Sequence, residues 1–518
     1  MRRVFTPVFP ILLALAAASC SSPDETDSGP TPTVEGPKPL PPLTTAPLTS
    51  ELTLVPAHAI LESSLDRNPS SPEAMDAMLA EGFGDLKEGP AWAMTPSTLD
   101  DAPPPMPGKA PKRLTRFVHL ADTQLADDES PARLASYDSP GIPGAYRPQE
   151  GHECRILNAA VRTLNVVHAK TPLDFVVLGG DNADNAQKNE LGWFLSILDG
   201  APSVECDSGN DDDPVKGPDN DPKDPFVAEG LKFPWLWVTG NHDVLNQGTL
   251  VAADNEEAAI GGYTFNGARD WSQPGAPVIK GVDVPADPRR EELTRASMLE
   301  TIAEAGDGHG ITDAVKKLGK AFYTFDVKGT PLRIVVLDTA AETGGDHGII
   351  HQADIDAFVK PALDQAKAEK KWVIMTSHHA SRLLGDGSFL GSPPQPDALS
   401  VDAWQSFIGG YDNVLLHLAG HTHLHRVTKT APVGGHAYWE LETSALADFP
   451  HQMRMIEVWD EDNGYLTIRG TALDYQVEGD PVAADGRSRS VVDFTSGWIG
   501  DGSGELAQRN VALWIKKP

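Results

Sequence analysis

Short apolar runs, separated by longer stretches with helical spacing, punctuate the middle of the chain. Arg116 to Ala121 reads as a buried strand. Glu153 to His168 puts Ile156, Leu157, Ala160, Val161, Leu164 and Val167 on one side, the three-to-four spacing of an amphipathic helix. Phe175 to Leu178 is a second strand, Leu191 to Leu198 a helix, and Trp235 to Thr239 a third strand. Phe322 to Phe325 and Arg333 to Leu337 follow, then a helix from about Ala353 to Ala368, then strands at Trp372 to Met375 and Val414 to Leu418. Such alternation predicts an α/β fold. Beyond His423 the pattern changes: Trp439 to Leu441, Met455 to Trp459 and Tyr465 to Ile468 read as strands with no helices between them, so mixed sheets are expected rather than one parallel sheet. No internal repeat is evident.

The flanks read differently. Met1-Arg2-Arg3 and the apolar run from Val8 to Ala18 form a signal-peptide pattern ending Ala17-Ala18-Ser19-Cys20. That ending resembles the bacterial lipoprotein signal, which implies residues 1–20 as signal sequence and a membrane anchor through a lipid on Cys20. Residues 21–50 are rich in Ser, Thr and Pro and read as a disordered tether. Residues 51–111 form a mixed N-terminal extension with a short helix around Pro72 to Ala80, and residues 476–518 a C-terminal one. The main domain is expected over 112–475, with insertions near 200–232 and 245–320.

Composition adds location and partners. Of 518 residues, 40% are hydrophobic and 22% charged, enough for a packed core in one large domain or two or three ordinary ones. The formal net charge of -32 repels polyanions, so no nucleic-acid partner is expected. With Cys20 set aside, Cys154 and Cys206 remain as one pair, for which a disulfide is plausible in an oxidising compartment. The acidic stretch Asp207 to Asp224 could bind calcium, but its spacing does not match an EF-hand loop and a solvated loop is the plainer reading. The stretch from Leu245 to Lys320 is either a cover for the site or packing.

Chemistry concentrates at strand ends. Leu120-Ala121-Asp122-Thr123-Gln124, Gly179-Gly180-Asp181-Asn182, Gly240-Asn241-His242-Asp243, Ser377-His378-His379 and Gly420-His421-Thr422-His423 each follow an apolar run. Strand ends at one edge of an open α/β sheet are where ligands bind. Carboxylate, amide and imidazole together suit borderline divalent metals such as Mn, Fe or Zn. Singly, each motif also has a bland reading as a turn, a cap or strand packing.

Taken in order, these motifs resemble the calcineurin-like metallophosphoesterase superfamily from about Lys112 to Tyr475, with Gln124 where the family usually has His. The resemblance implies a four-layer α-β-β-α sandwich of two mixed sheets and two divalent metal ions. One metal would be held by Asp122, Asp181, His423 and Gln124, the other by Asp181, Asn241, His378 and His421, with Asp181 bridging. His242 would contact the phosphate and help the leaving oxygen take a proton, and Asp243 would orient His242. The expected function is hydrolysis of a small phosphate ester outside the cytoplasm. The alternatives are a catalytically weak metal- or phosphate-binding surface lipoprotein on the same fold and, from a different class, a purely structural lipoprotein.

Overall fold

The computed structural model describes residues 36–251, 256–341, 343–499 and 504–518. The expected signal sequence, Cys20 and the tether up to residue 35 lie outside the described residues. Among the described residues no helix is long and apolar enough to cross a membrane. Residues Pro37–Pro518 make one unit.

Among the described residues, thirteen strands build its two main sheets. They are β1 (Thr95–Thr98), β2 (Lys112–Leu120), β3 (Val176–Leu178), β4 (Trp235–Leu236), β5 (Tyr323–Asp326), β6 (Leu332–Val336), β7 (Trp372–Thr376), β8 (Val414–Ala419), β9 (Arg426–Thr430), β10 (Tyr438–Glu442), β11 (Gln452–Asp460), β12 (Tyr465–Asp474) and β13 (Val511–Lys516). The first sheet runs β1-β13-β12-β11-β2-β3-β4 and the second β5-β6-β7-β8-β10-β9. Both are mixed: β2, β3 and β4 are parallel to one another, as are β6, β7, β8 and β10, while β11–β13 and β5, β9 pair antiparallel.

Side-chain alternation sets the layers. On the second sheet Ile334, Val336, Ile374, Leu416, Leu418, Trp439 and Leu441 join the large core shared with the first sheet. The intervening Val335, Val373, Met375, Val414 and Tyr438 face a separate core. That core is closed by two of the helices, α5 (Lys360–Ala368) and α6 (Val401–Ile408), out of a set that in chain order begins with α1 (Pro72–Ala80), α2 (Glu153–Lys170), α3 (Lys188–Asp199) and α4 (Arg295–Glu304) and ends with α7 (Pro481–Thr495). The two-residue period of a strand sends neighbours to opposite faces, so one sheet serves both cores. Phe175 meets Phe325 across the sheets, and Trp439 Nε1 donates to Trp514 O at 3.2 Å. Apolar residues of α2 and α3 pack on the first sheet within the large core, and α7 lies against α2. The expected α-β-β-α sandwich is the observed one.

Several elements extend beyond their expected limits. Residues 37–50 do not behave as a tether: Leu43 and Ala46 are buried, and Thr49 Oγ1 donates to Ala472 O at 2.6 Å. A few apolar positions among the prolines suffice to dock the segment. The first sheet also recruits β1 and β13 from outside 112–475, since the Val511 to Ile515 run extends the β12 edge and gives β1 a parallel partner. The Asp207 to Asp224 loop is not simply solvated. Cys206 before it is bonded to Cys154, with Cα atoms 6.6 Å apart. Lys223 Nζ is buried against Glu129 at 2.5 Å and Asp128 at 3.1 Å. Within the 245–320 insertion, Met298, Leu299 and Ile302 of α4 pack in the large core, and Gln247 and Thr249 reach the cleft described next.

Candidate active site

Because β2, β3 and β4 run parallel in one sheet and β7 and β8 run parallel in the other, their C-terminal ends can share an edge. The chain after each end carries one motif. The two sheets are stitched there by the Ala121–Ala445 bridge and by Leu446 and Ala447 N–H groups donating to Asp122 O.

The backbone at this edge is unusual. Asp122, Gln124, Asp181, His421 and His423, five of the seven expected ligands, have φ between 44° and 69°, the left-handed region that non-glycine residues seldom adopt. The turns are held by hydrogen bonds: Asp122 N donates to Gly180 O, Gln124 N to Asp181 O, and His421 N to both Asp122 oxygens at 2.9 and 3.1 Å. Glycine is obligatory at two neighbours. A Cβ on Gly240 would lie 2.0 Å from Asp181 Oδ1, and one on Gly420 would lie 2.4 Å from Asp122 Oδ2.

The expected ligands converge. Asp181 is at the centre, with Oδ2 at 3.0 Å from His378 Nε2, 3.5 Å from Gln124 Nε2 and 3.8 Å from His242 Nε2. His423 Nε2 lies 3.5 Å from Asp122 Oδ1, and His378 Nε2 lies 3.2 Å from His421 Nδ1. His378 Nδ1 donates to Gly179 O at 2.9 Å, which turns Nε2 towards Asp181 and His421. His423 Nδ1 is likewise held by Asp448 at 2.5 Å, so its Nε2 faces Asp122. Asn241 donates from Nδ2 to Gly248 O at 2.9 Å, while its Oδ1 is buried without a partner; Gln124 Oε1 is also buried without one. Two orphaned amide oxygens beside two carboxylates and three imidazoles are a donor set that fits divalent cations. The buried triad Asp122, Asp181 and His378 and the triad His378, His379 and His421 each bring their ligand atoms within 4.8 Å of one another.

Protonation follows the neighbours. Burial disfavours the charged form of His378, but Asp181 outweighs it and lifts the pKa to about 9. Burial likewise opposes the charged form of His242, yet Asp181 and then Asp184 raise its pKa. Asp184 itself is driven down despite its burial, first by Arg133 and then by His242.

The orienting partner of His242 differs from expectation. Its Nδ1 meets Asp184 Oδ1 at 2.9 Å and Asp184 O at 3.1 Å. Asp243 instead accepts the backbone N–H groups of Asp181, Asn182, Ala183 and Gly240 at 2.8–3.1 Å. Its side chain ties its own turn to the 181–183 turn and so is committed before it can reach the imidazole. His379, the neighbour set aside in favour of His378, is buried with Nδ1 on Thr339 Oγ1 at 2.8 Å.

Sequence reading missed Asp184, Asp448 and Arg147. Asp184 is three residues beyond Asp181, and that spacing was the available signal. Asp448 and Arg147 come from loops with no motif. Arg147 Nε donates to Asp448 Oδ1 at 2.8 Å. The cleft above the site has a volume of about 250 Å³ and is lined by Gln124, Asp181, Asn241, His242, His421 and His423, with Leu134, Ala145, Arg147 and Gln247 among its walls.

Among known proteins, a family model described as calcineurin-like phosphoesterase matches residues 115–425. No curated protein sequence matches the chain. Among solved structures it is similar to a dimetal phosphatase from Danio rerio, at 14% identity over 70% of this chain and 100% of that one, with a TM-score of 0.39. It is also similar to a sulfate thiohydrolase from Thermus thermophilus, at 13% identity over 75% of this chain and 60% of that one, with a TM-score of 0.30. A purple acid phosphatase from yellow lupin seeds is similar at 11% identity over 74% of this chain and 55% of that one, with a TM-score of 0.27.

Proposed function

Since the chain belongs to the calcineurin-like phosphoesterase family, we propose that it hydrolyses small phosphate esters at a site holding two divalent metal ions. One ion would be held by Asp122, Gln124, Asp181 and His423, the other by Asp181, Asn241, His378 and His421. The observation that carries this reading is the pair of buried, partnerless amide oxygens, Gln124 Oε1 and Asn241 Oδ1, in a pocket of carboxylates and imidazoles. When bound, the ions would neutralise the ester's charge and lower the pKa of a water.

The chain's own residues do the rest. Asp181 presents one oxygen to His378 Nε2 and accepts the His242 N–H at 2.8 Å with the other. His242 lines the cleft and Asp184 holds its Nδ1, and because Asp181 and Asp184 favour the charged imidazole, the second proton, on Nε2, would serve a leaving oxygen. A pure binding protein has no use for that proton.

Metal analysis and hydrolysis of a phosphomonoester and a phosphodiester with added Mn²⁺ test the proposal. Asp181→Ala is expected to lose both ions and turnover together; full occupancy in that variant would sink the dinuclear assignment. We further propose that the protein acts outside the cytoplasm, anchored by a lipid on Cys20. The Cys154–Cys206 disulfide supports an oxidising compartment. Cys20→Ser should move the protein from the membrane to the soluble exported fraction, and continued membrane attachment would reject the anchor.

A further inference from the structure

We infer that Arg147 binds a terminal oxygen of the substrate's phosphate and biases the site towards monoesters, a reading that rests on the phosphoesterase function proposed above. Arg147 belongs to none of the metal-binding motifs. It sits on the segment between β2 and α2, and it is the only Lys or Arg among the described residues lining the cleft.

Its guanidinium is held in place. Nε donates to Asp448 Oδ1 at 2.8 Å, and Nη1 lies 3.9 Å from Asp184 Oδ1. Asp448 is the carboxylate behind His423, and Asp184 is the one behind His242. The guanidinium is therefore fixed between the imidazole assigned to a metal and the imidazole assigned to the leaving group. Only 5% of the residue is exposed, yet neither terminal nitrogen makes a hydrogen bond to a described residue. A guanidinium carries five N–H donors, and only the one on Nε is bonded to the chain, so the terminal four remain free for a ligand of the cleft that Arg147 lines. A fixed cationic donor group at the wall of the cleft suits an anionic ligand.

The planar fork matches the oxygens of a phosphate. A monoester presents three terminal oxygens and a diester two. A monoester offers the guanidinium one terminal oxygen more than a diester does, beyond those that ions held by the assigned ligands would serve.

The test compares wild type, Arg147→Lys and Arg147→Met as full chains loaded with Mn²⁺. Metal content, inorganic phosphate affinity by calorimetry, and kcat/KM for p-nitrophenyl phosphate and bis-p-nitrophenyl phosphate are measured for each. Arg147→Met should keep its metals and bind phosphate about 10- to 100-fold more weakly, the scale of one charge-assisted hydrogen bond. Monoester kcat/KM should fall by a similar factor, and diester turnover by about 3-fold at most. Arg147→Lys keeps the charge but loses the fork and should fall between. Unchanged phosphate affinity in Arg147→Met overturns the inference. So does metal loss in Arg147→Met that Arg147→Lys restores, because Arg147 would then only brace Asp448 and His423. Equal losses on both esters overturn the monoester preference. A wild type that hydrolyses neither ester rejects the proposed function, while the phosphate affinities still read the role of Arg147.

Discussion

The Asp243 carboxylate accepts five hydrogen bonds beside the site, and one near-isosteric exchange tests what they hold. Asp243→Asn exchanges one carboxylate oxygen for an NH₂ group of nearly the same shape. Oδ1 accepts from Asn182 N at 2.9 Å and Ala183 N at 3.0 Å. Oδ2 accepts from Gly240 N at 2.8 Å, Asp181 N at 3.1 Å and Asn182 Nδ2 at 3.2 Å. Whichever way the new amide turns, at least two backbone N–H groups meet a donor. Leaving a buried donor unsatisfied costs about 1–3 kcal/mol, so the variant should lose about 2–6 kcal/mol of stability. Because the same turn carries Asp181, metal affinity should fall as well. Urea unfolding followed by metal analysis reads both effects. A variant within about 0.5 kcal/mol of wild type, with its metals intact and only its turnover reduced, would refute the reasoning and return Asp243 to the service of His242.

Two further outcomes are expected. His242→Ala should retain both metals and lose about 10²- to 10⁴-fold in turnover of a substrate with a poor leaving group, and near-wild-type activity would remove it from the mechanism. Gln124→His should tighten one metal site and shift it towards Zn²⁺, because imidazole is a softer and better donor than a neutral amide oxygen; metal titration that finds neither change would mean Gln124 is not a ligand.

The residues that converge at the site were legible because each follows an apolar run within a few residues, most of them beside a glycine. That local grammar survives folding, since a strand end and its turn are set by near neighbours. Asp448 obeys no such rule: it reaches His423 only because the chain after β10 returns along the site through the Ala121–Ala445 bridge. The expectation that Asp243 orients His242 fails for a similar reason, for adjacency in the chain does not show which acid the folded turns bring to the imidazole. Strand β13 was missed for a different reason. Val511 to Ile515 is a readable apolar run, but nothing local announces that a segment so far along the chain completes a sheet begun near residue 112.

The left-handed backbone at Asp122, Gln124, Asp181, His421 and His423 also sets the room for redesign. An L-residue in that conformation forfeits about 1–2 kcal/mol, least for Asn and Asp and most for β-branched side chains. A library meant to change metal preference should therefore draw on Asn, Asp, His and Gly at these five positions and leave Thr, Val and Ile out. The alphabet open to an engineer is shortened by φ before any ion is chosen.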